Sequence, residues 1–164
     1  MKYVNDYDSP LGRIVLAADD EGLSGLWFEG QKHFGAGLAK DARQQDSAIF
    51  DDAKRWLDEY FAGRSPNFIP KLHFVGTKFQ RRVWQLLLLI PRGTTMTYGE
   101  LARAINMRSA RAIGGAVARN KISIIVPCHR VIGANGRLLG YSGGLDKKAR
   151  LLELEGITVA KGVR

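Results

Sequence analysis

The stretch Thr97-Tyr98-Gly99-Glu100-Leu101-Ala102-Arg103-Ala104-Ile105-Asn106-Met107-Arg108-Ser109-Ala110-Arg111-Ala112-Ile113-Gly114-Gly115-Ala116-Val117-Ala118 reads as two short helices joined by a turn. Thr97 and Glu100 have capping-box spacing: the hydroxyl accepts from the Glu100 amide and the carboxylate accepts from the Thr97 amide. The helix so started runs through Leu101, Ala102 and Ile105. After Asn106-Met107-Arg108, Ser109 can cap a second helix over Ala110 to Ala118. Two short helices about four residues apart have helix-turn-helix spacing, which many helical hairpins share. The second helix is built from small residues, and its Gly114-Gly115 pair costs helix stability. That composition suits tight packing inside a core. It suits equally the close approach of another surface, with Arg111 projecting as a single long cation.

The surroundings of this pair are basic. Residues 76–164 hold 16 Lys+Arg and 4 Asp+Glu, a net +12, whereas residues 1–75 hold 9 and 12, a net −3. A basic half beside a mildly acidic one fits a polyanion-binding face, and insertion of Arg111 into a DNA groove would account for helix and charge together. A solvated cationic surface would give the same counts. The charge discontinuity coincides with Gly63 to Gly76, which carries Pro66 and Pro70 and reads as the connection between two domains, 1–75 and 76–164. A chain of 164 residues has the length of one domain or two small ones.

The N-terminal half reads as a small sheet and a helix. Lys2 to Asp8, Gly12 to Ala18 and Leu23 to Phe28 are strand-like runs separated by Ser9-Pro10-Leu11-Gly12 and Asp19-Asp20-Glu21-Gly22, a hairpin meander. Ser47 to Phe61 is amphipathic, with Ile49, Ala53, Trp56, Leu57, Tyr60 and Phe61 on one face. Past the linker, Thr77 can cap a helix whose apolar face is Phe79, Val83, Leu87 and Ile90, ended by Pro91 and Gly93. The fold class is α+β, a sheet-plus-helix domain followed by a mostly helical one.

Composition removes several function classes. At 45% hydrophobic and 25% charged residues the chain is globular in character. No apolar run approaches the roughly 18–20 residues of a membrane helix, and the N-terminus lacks the apolar core of a signal peptide. The single cysteine, Cys128, excludes an internal disulfide and a multi-thiolate metal cluster within one chain. A soluble protein of a reducing compartment is expected, cytoplasmic or, in a eukaryotic source, nuclear.

That cysteine sits in Ile122-Ser123-Ile124-Ile125-Val126-Pro127-Cys128-His129-Arg130-Val131-Ile132, an apolar strand-like run interrupted by Pro127 and by polar residues. Such local conflict marks function. A lone cysteine is ordinarily an inert core residue, but adjacent histidine and arginine favour the thiolate, which is the nucleophile. On an extended backbone consecutive side chains diverge, so Cys128 and His129 would need a bridging water or a sharp turn to cooperate. Lys147 to Glu155 reads as a helix ended by Gly156. An acid in its last turn opposes the helix dipole, so Glu155 is either exposed or paired with a cation. Pairing with His129 would orient the imidazole as in a triad.

Pro127-Cys128-His129-Arg130, with Ile124-Ile125-Val126 before it and Val131-Ile132 after it, resembles the active-site signature of the O6-alkylguanine-DNA alkyltransferases, or methylated-DNA–protein-cysteine methyltransferases. Thr97 to Ala102, Ala110 to Ala116, Tyr141-Ser142-Gly143-Gly144-Leu145 and Leu154-Glu155-Gly156 agree in the same order, so the resemblance covers roughly Phe79 to Gly156. It implies an N-terminal ribonuclease-H-like domain and a C-terminal domain that binds double-stranded DNA through the minor groove as a monomer. It implies irreversible, single-turnover transfer of the alkyl group from O6-alkylguanine, and from O4-alkylthymine, to Cys128. His129 would accept the thiol proton through water, Glu155 stabilise the imidazolium, and Asn120 brace the site. Tyr98 would assist flipping and donate to the base, while Arg111 fills the gap left by the rotated nucleotide. Arg108 and Gln80 would also contact DNA, and Val131, Tyr141, Ser142 and Lys148 would form the pocket. Flipping is required because the alkyl group is unreachable inside a duplex. No metal or cofactor is implied, and His33 and His73 read as ordinary polar residues.

Two positions depart from the family pattern. Lys121 stands where proline is frequent, and Leu139 where some members have a smaller residue. A non-catalytic damage-binding relative would lack Cys128. A helix-turn-helix regulator would be expected to dimerise, and a cysteine hydrolase to turn over repeatedly without duplex DNA.

Overall fold

The computed structural model describes residues 2–159 other than 33, 36, 37 and 39–41. The chain divides into two compact units, Met1–Val75 with Lys121–Ser123, and Gly76–Asn120 with Ile124–Arg164. The second span is therefore discontinuous: three residues of the stretch read as one C-terminal domain fold with the first unit.

In the first unit, β1 (Tyr3–Ser9), β2 (Gly12–Asp19) and β3 (Gly22–Phe28) form the meander expected from the turn residues. The pairing is antiparallel, from Tyr3 opposite Ala18 to Ser9 opposite Gly12, and from Ile14 opposite Phe28 to Asp19 opposite Gly22. A two-residue strand, β4 (Arg43–Gln44), adds parallel to β1 and gives the order β3-β2-β1-β4. Alternation on β2 buries Ile14 and Leu16, and stops at the register shift between Ala17 and Ala18, where both alanines are buried. α1 (Ala48–Phe61) begins where the Ser47 hydroxyl accepts from the Phe50 amide. Phe50, Ala53, Trp56, Leu57 and Tyr60 are its buried face, so Phe50 takes the place expected of Ile49, which is half-buried.

The linker does more than connect. The Leu23 amide donates to the Lys71 carbonyl (2.8 Å) and the His73 amide to the Leu23 carbonyl (2.8 Å), forming a parallel bridge with β3. Further along β3, the Leu26 amide donates to Lys121 and its carbonyl accepts from Ser123. His73 is held between Asp19 (2.6 Å) and Glu21 (2.7 Å); His33 lies outside the described residues.

In the second unit, α2 (Lys78–Leu87) opens with a capping box between Thr77 and Gln80. It ends three residues before the apolar pattern does. Beyond Leu87 the chain tightens to three-residue turns, with the amides of Leu89 and Ile90 donating to Leu86 and Leu87, and Ile90 stays buried without continuing the α-helix. β5 (Met96–Thr97) leads into α3 (Tyr98–Ala104), and the Thr97–Glu100 capping box is present on both sides. Asn106, in the left-handed region at φ 56°, makes the turn to α4 (Ala110–Ala118), capped by Ser109. The Trp84 indole donates to the Ala116 carbonyl at 2.9 Å and fixes α4 against α2. β6 (Val131–Ile132) pairs parallel with β5, and α5 (Leu145–Leu154) closes the unit, starting two residues earlier than the sequence suggests. Among the described residues no helix is long and apolar enough to cross a membrane.

Candidate active site

The run from Ile122 to Ile132 is not the broken strand its composition suggests. Ile124 adopts φ 69°, a conformation that β-branched residues rarely hold, and bends the chain. Pro127 then forms an inverse γ-turn (φ −82°, ψ 63°), in which the Cys128 amide donates to the Val126 carbonyl at 2.8 Å. Cys128–Arg130 follow as one 3-10 turn. The Val126 carbonyl also accepts from Asn120 Nδ2 at 3.0 Å, so a side chain six residues upstream ties the loop into its bent form. This is the sharp turn that cooperation between Cys128 and His129 demands.

Burial governs the chemistry of the centre. Cys128 is 6% exposed, and burial pushes its thiol up from the ordinary value; a hydrogen bond from Asn120 and the charge of Lys148 work against that. His129 is fully buried, and burial lowers its proton affinity, with Arg130 and Lys148 acting in the same direction and Glu155 opposing. Burial thus disfavours the charged form of both the thiol and the imidazole.

His129 Nε2 lies 2.6 Å from Glu155 Oε2. Glu155 follows α5 directly, and Gly156 (φ 86°) turns the chain away after it. The carboxylate also accepts from Arg130, at 2.7 Å from Nε and 3.1 Å from one terminal nitrogen, while the other terminal nitrogen donates to the Ile90 carbonyl at 2.6 Å. Of the two alternatives for Glu155, exposed or paired with a cation, the second holds, and the cation is Arg130, with the imidazole of His129 on the same carboxylate. The Arg130–Glu155 contact was not legible from local pattern. Its signal was an arginine inside an otherwise apolar, buried run.

Lys148 is buried on α5, its Nζ donating to the Val131 (2.5 Å) and Leu139 (2.7 Å) carbonyls. Burial lowers its pKa from 10.5 to about 8, the Cys128 charge opposing. The Tyr98 hydroxyl donates to the Leu139 carbonyl at 3.1 Å, and burial, followed by proximity to Cys128, raises its pKa to about 12. Lys148 Nζ sits 6.0 Å from the centroid of the Tyr98 ring. Asn120, Cys128, His129, Glu155, Lys148, Tyr98 and Val131 are accordingly linked through direct or electrostatic contacts. Tyr141 is buried, and the Ser142 hydroxyl donates to the Ala118 carbonyl at 2.7 Å, fastening the 141–144 loop to the end of α4.

Of the expected nucleic-acid residues, Tyr98 belongs to this cluster, and no direct contact joins Arg108, Arg111 or Gln80 to it among the described interactions. Arg108 and Arg111 are exposed around the start of α4. Gln80 Oε1 accepts from the Thr77 amide in the α2 capping box. A Cβ added at Gly114 would meet the Tyr98 ring at 3.8 Å, and one at Gly115 would meet Arg119 at 3.7 Å, both ordinary contacts. Interior packing therefore does not demand glycine at either position. Among the described residues no group of three or more His, Cys, Asp or Glu is placed to hold a metal ion.

Comparison with known proteins places both units in one family. Residues 78–157 match the family model of the 6-O-methylguanine DNA methyltransferase DNA binding domain, and residues 2–73 that of its ribonuclease-like domain. A methylated-DNA–protein-cysteine methyltransferase of Methanosarcina acetivorans is 49% identical over 156 residues, covering 94% of this chain and 98% of that protein. Its counterpart in Mycobacterium leprae is 45% identical over 94% of this chain and 93% of that one. The crystal structure of the Mycobacterium tuberculosis O6-methylguanine methyltransferase superposes with a TM-score of 0.83 at 44% identity, covering 94% of this chain and 93% of that one. A structure of the same mycobacterial protein in complex with DNA gives the same TM-score, covering 93% and 92% of the two chains. With two family models together matching nearly its whole length and relatives of such identity over their full span, the chain belongs to the O6-methylguanine-DNA methyltransferase family.

Proposed function

We propose that the protein repairs DNA by direct reversal, moving the alkyl group of O6-alkylguanine onto Cys128, the only cysteine of the chain. The observation that carries this reading is the buried Cys128 on a sharp turn beside the His129–Glu155 pair. The alkyl carbon is an sp3 electrophile with a poor leaving group, so it needs a soft anionic nucleophile. His129, its Nε2 hydrogen held toward Glu155, takes the thiol proton at Nδ1 through an intervening water. The sulfur–carbon bond forms, the carbon–O6 bond breaks, and its electron pair passes into the guanine ring. Tyr98, a protonated phenol, exchanges its hydrogen bond to the Leu139 carbonyl for one to the departing base. The thioether product has no facile return, so each molecule acts once.

Substrate access is part of the same proposal. Arg111, exposed at the start of α4, enters the minor groove of duplex DNA and replaces the rotated nucleotide, while Arg108 and Gln80 contact the backbone nearby. The small, partly exposed surface of α4, whose glycines packing does not require, supports close approach. Val131, Tyr141, Ser142 and Lys148 shape the pocket, O4-alkylthymine is a second substrate, and the protein acts as a monomer in the cytoplasm.

The test is a duplex carrying a single O6-methylguanine, incubated with the protein and followed by peptide mass spectrometry. One methyl group on the Cys128 peptide, guanine restored and one-to-one stoichiometry are expected. Tight binding to the lesion with Cys128 unmodified would replace the repair reading with damage recognition alone.

A further inference from the structure

Arg130 lies beside the proposed proton acceptor yet makes all its described contacts away from the thiol. Its fork grips both oxygens of Glu155, and its remaining terminal nitrogen is anchored on the Ile90 carbonyl, just past the end of α2. Neither charged group is more than slightly exposed. A buried carboxylate held bidentately by a guanidinium stays ionised and can only accept hydrogen bonds. Across the 2.6 Å contact, then, the proton belongs to His129 Nε2, and in the neutral ring Nδ1 carries the lone pair.

Without the guanidinium the same pair would hold one proton more. Two arrangements of that proton exist, and each disables the same nitrogen. If His129 keeps it, the imidazolium has hydrogen on both nitrogens. If Glu155 takes it, the carboxylic acid donates to Nε2, and the ring hydrogen moves to Nδ1. We infer that Arg130 is a positioning residue for the alkyl-transfer reaction, whose pairing with Glu155 keeps His129 Nδ1 unprotonated and able to receive the Cys128 proton. The inference rests on the reading of His129 as proton acceptor given above.

The charged and titratable groups facing His129 are Cys128 and Arg130 on its own turn, and Lys148 and Glu155 from α5 and its end. Of these, Arg130 alone joins Glu155 to the Ile90 carbonyl; the carboxylate also accepts from the Gly93 amide at 3.4 Å, a neutral donor that supplies no charge. Removal of Arg130 leaves the Glu155 charge acting on the imidazole against burial and Lys148 alone. An opposite charge in direct contact raises the proton affinity of a histidine by about 1–3 pH units.

The experiment measures single-turnover methyl transfer to Cys128 from pH 5.5 to 9.5 for wild type, Arg130→Met, Arg130→Lys and the double variant Arg130→Met/Glu155→Gln. The state of His129 Nδ1 is read independently from 15N chemical shifts in histidine-labelled protein without DNA. Wild type should show a lone-pair-bearing Nδ1 at pH 7.5. Arg130→Met should show a protonated one, with the acid limb of the rate profile moved up by about one pH unit or more. Arg130→Lys keeps the charge and should keep the limb near its wild-type position. In the double variant the side-chain amide that replaces the carboxylate accepts from Nε2 through its carbonyl oxygen, with no charge to balance, so the limb should return.

A merely structural arginine would lower the rate evenly, leave the limb where it is, and gain nothing from the second substitution; that result overturns the inference. So does a protonated Nδ1 in wild type at pH 7.5, which decides the matter even if Arg130→Met fails to fold. If wild type transfers no methyl group to Cys128 at any pH, the proposed function fails instead, and the spectra still report on the role of Arg130.

Discussion

Lys148 is a fully buried cation whose charge is held in place by two backbone carbonyls, and its cost should be visible as a pH dependence of stability. Its pKa falls from 10.5 to about 8 on folding. A base with a depressed folded pKa binds fewer protons in the folded than in the unfolded state, so stability rises with pH across that interval. The penalty is complete below about pH 8, shrinks as pH rises, and is gone above the unfolded value of 10.5. At about 1.4 kcal/mol per pH unit the full effect is roughly 3 kcal/mol, of which about 2 kcal/mol is recovered between pH 8 and pH 10. The perturbation is Lys148→Met, which preserves the length of the side chain and removes its titration. Urea denaturation of both proteins at pH 8 and pH 10 gives the unfolding free energies. Loss of the two carbonyl hydrogen bonds offsets the variant by an amount common to both pH values, and the tyrosines with raised pKa are common to both proteins. The difference, wild type minus variant, should therefore move in favour of wild type by about 2 kcal/mol on going to pH 10. A difference that stays constant, or moves the other way, would mean that Lys148 is not held in a desolvated site.

Three further substitutions test the frame and the proposed DNA contact. Thr97→Ala removes the acceptor for the Glu100 amide at the start of α3 and should cost about 1 kcal/mol by chemical denaturation. Trp84→Phe leaves the Ala116 carbonyl with the Arg119 amide at 3.2 Å as its remaining donor and should cost about 0.5–1.5 kcal/mol, seen as a lower unfolding midpoint. Arg111→Ala should slow methyl transfer from duplex DNA while leaving transfer from free O6-methylguanine base intact; equal losses would contradict its role in flipping.

The parts of the fold that were legible in advance are those whose causes are local. Thr77, Thr97 and Ser109 each cap a helix because a hydroxyl reaches an amide three residues on, and that geometry depends on nothing distant. The meander followed for the same reason, since two turns with suitable residues align three strands. Strand β4 and the Leu72 bridge to β3 went unseen because backbone pairing of one or two residues leaves no side-chain pattern. The apolar pattern extends α2 to Ile90 because that residue remains buried after the helix has given way to tighter turns. Burial periodicity reports which side faces the core, not which hydrogen bonds follow.

The site divides along the same line. Cys128, His129 and Glu155 were recognisable from chemistry alone, as polar groups in places where an apolar run or a helix dipole argues against them. Their mutual arrangement was not, because a run rich in Ile and Val reads as extended. What overrides that propensity is a set of constraints the run does not contain: the Asn120 amide on Val126, the left-handed Ile124, and the γ-turn at Pro127. Extended backbone would point Cys128 and His129 to opposite faces, whereas a 3-10 turn lets both be buried within one unit with His129 against Glu155. The bend also brings Arg130 to Glu155, 25 residues away, at 2.7 Å. One backbone reversal thus supplies both members of the proposed proton-transfer pair and the cation that holds their carboxylate ionised. A variant that straightened this turn would lose all three relations at once, whatever side chains it retained.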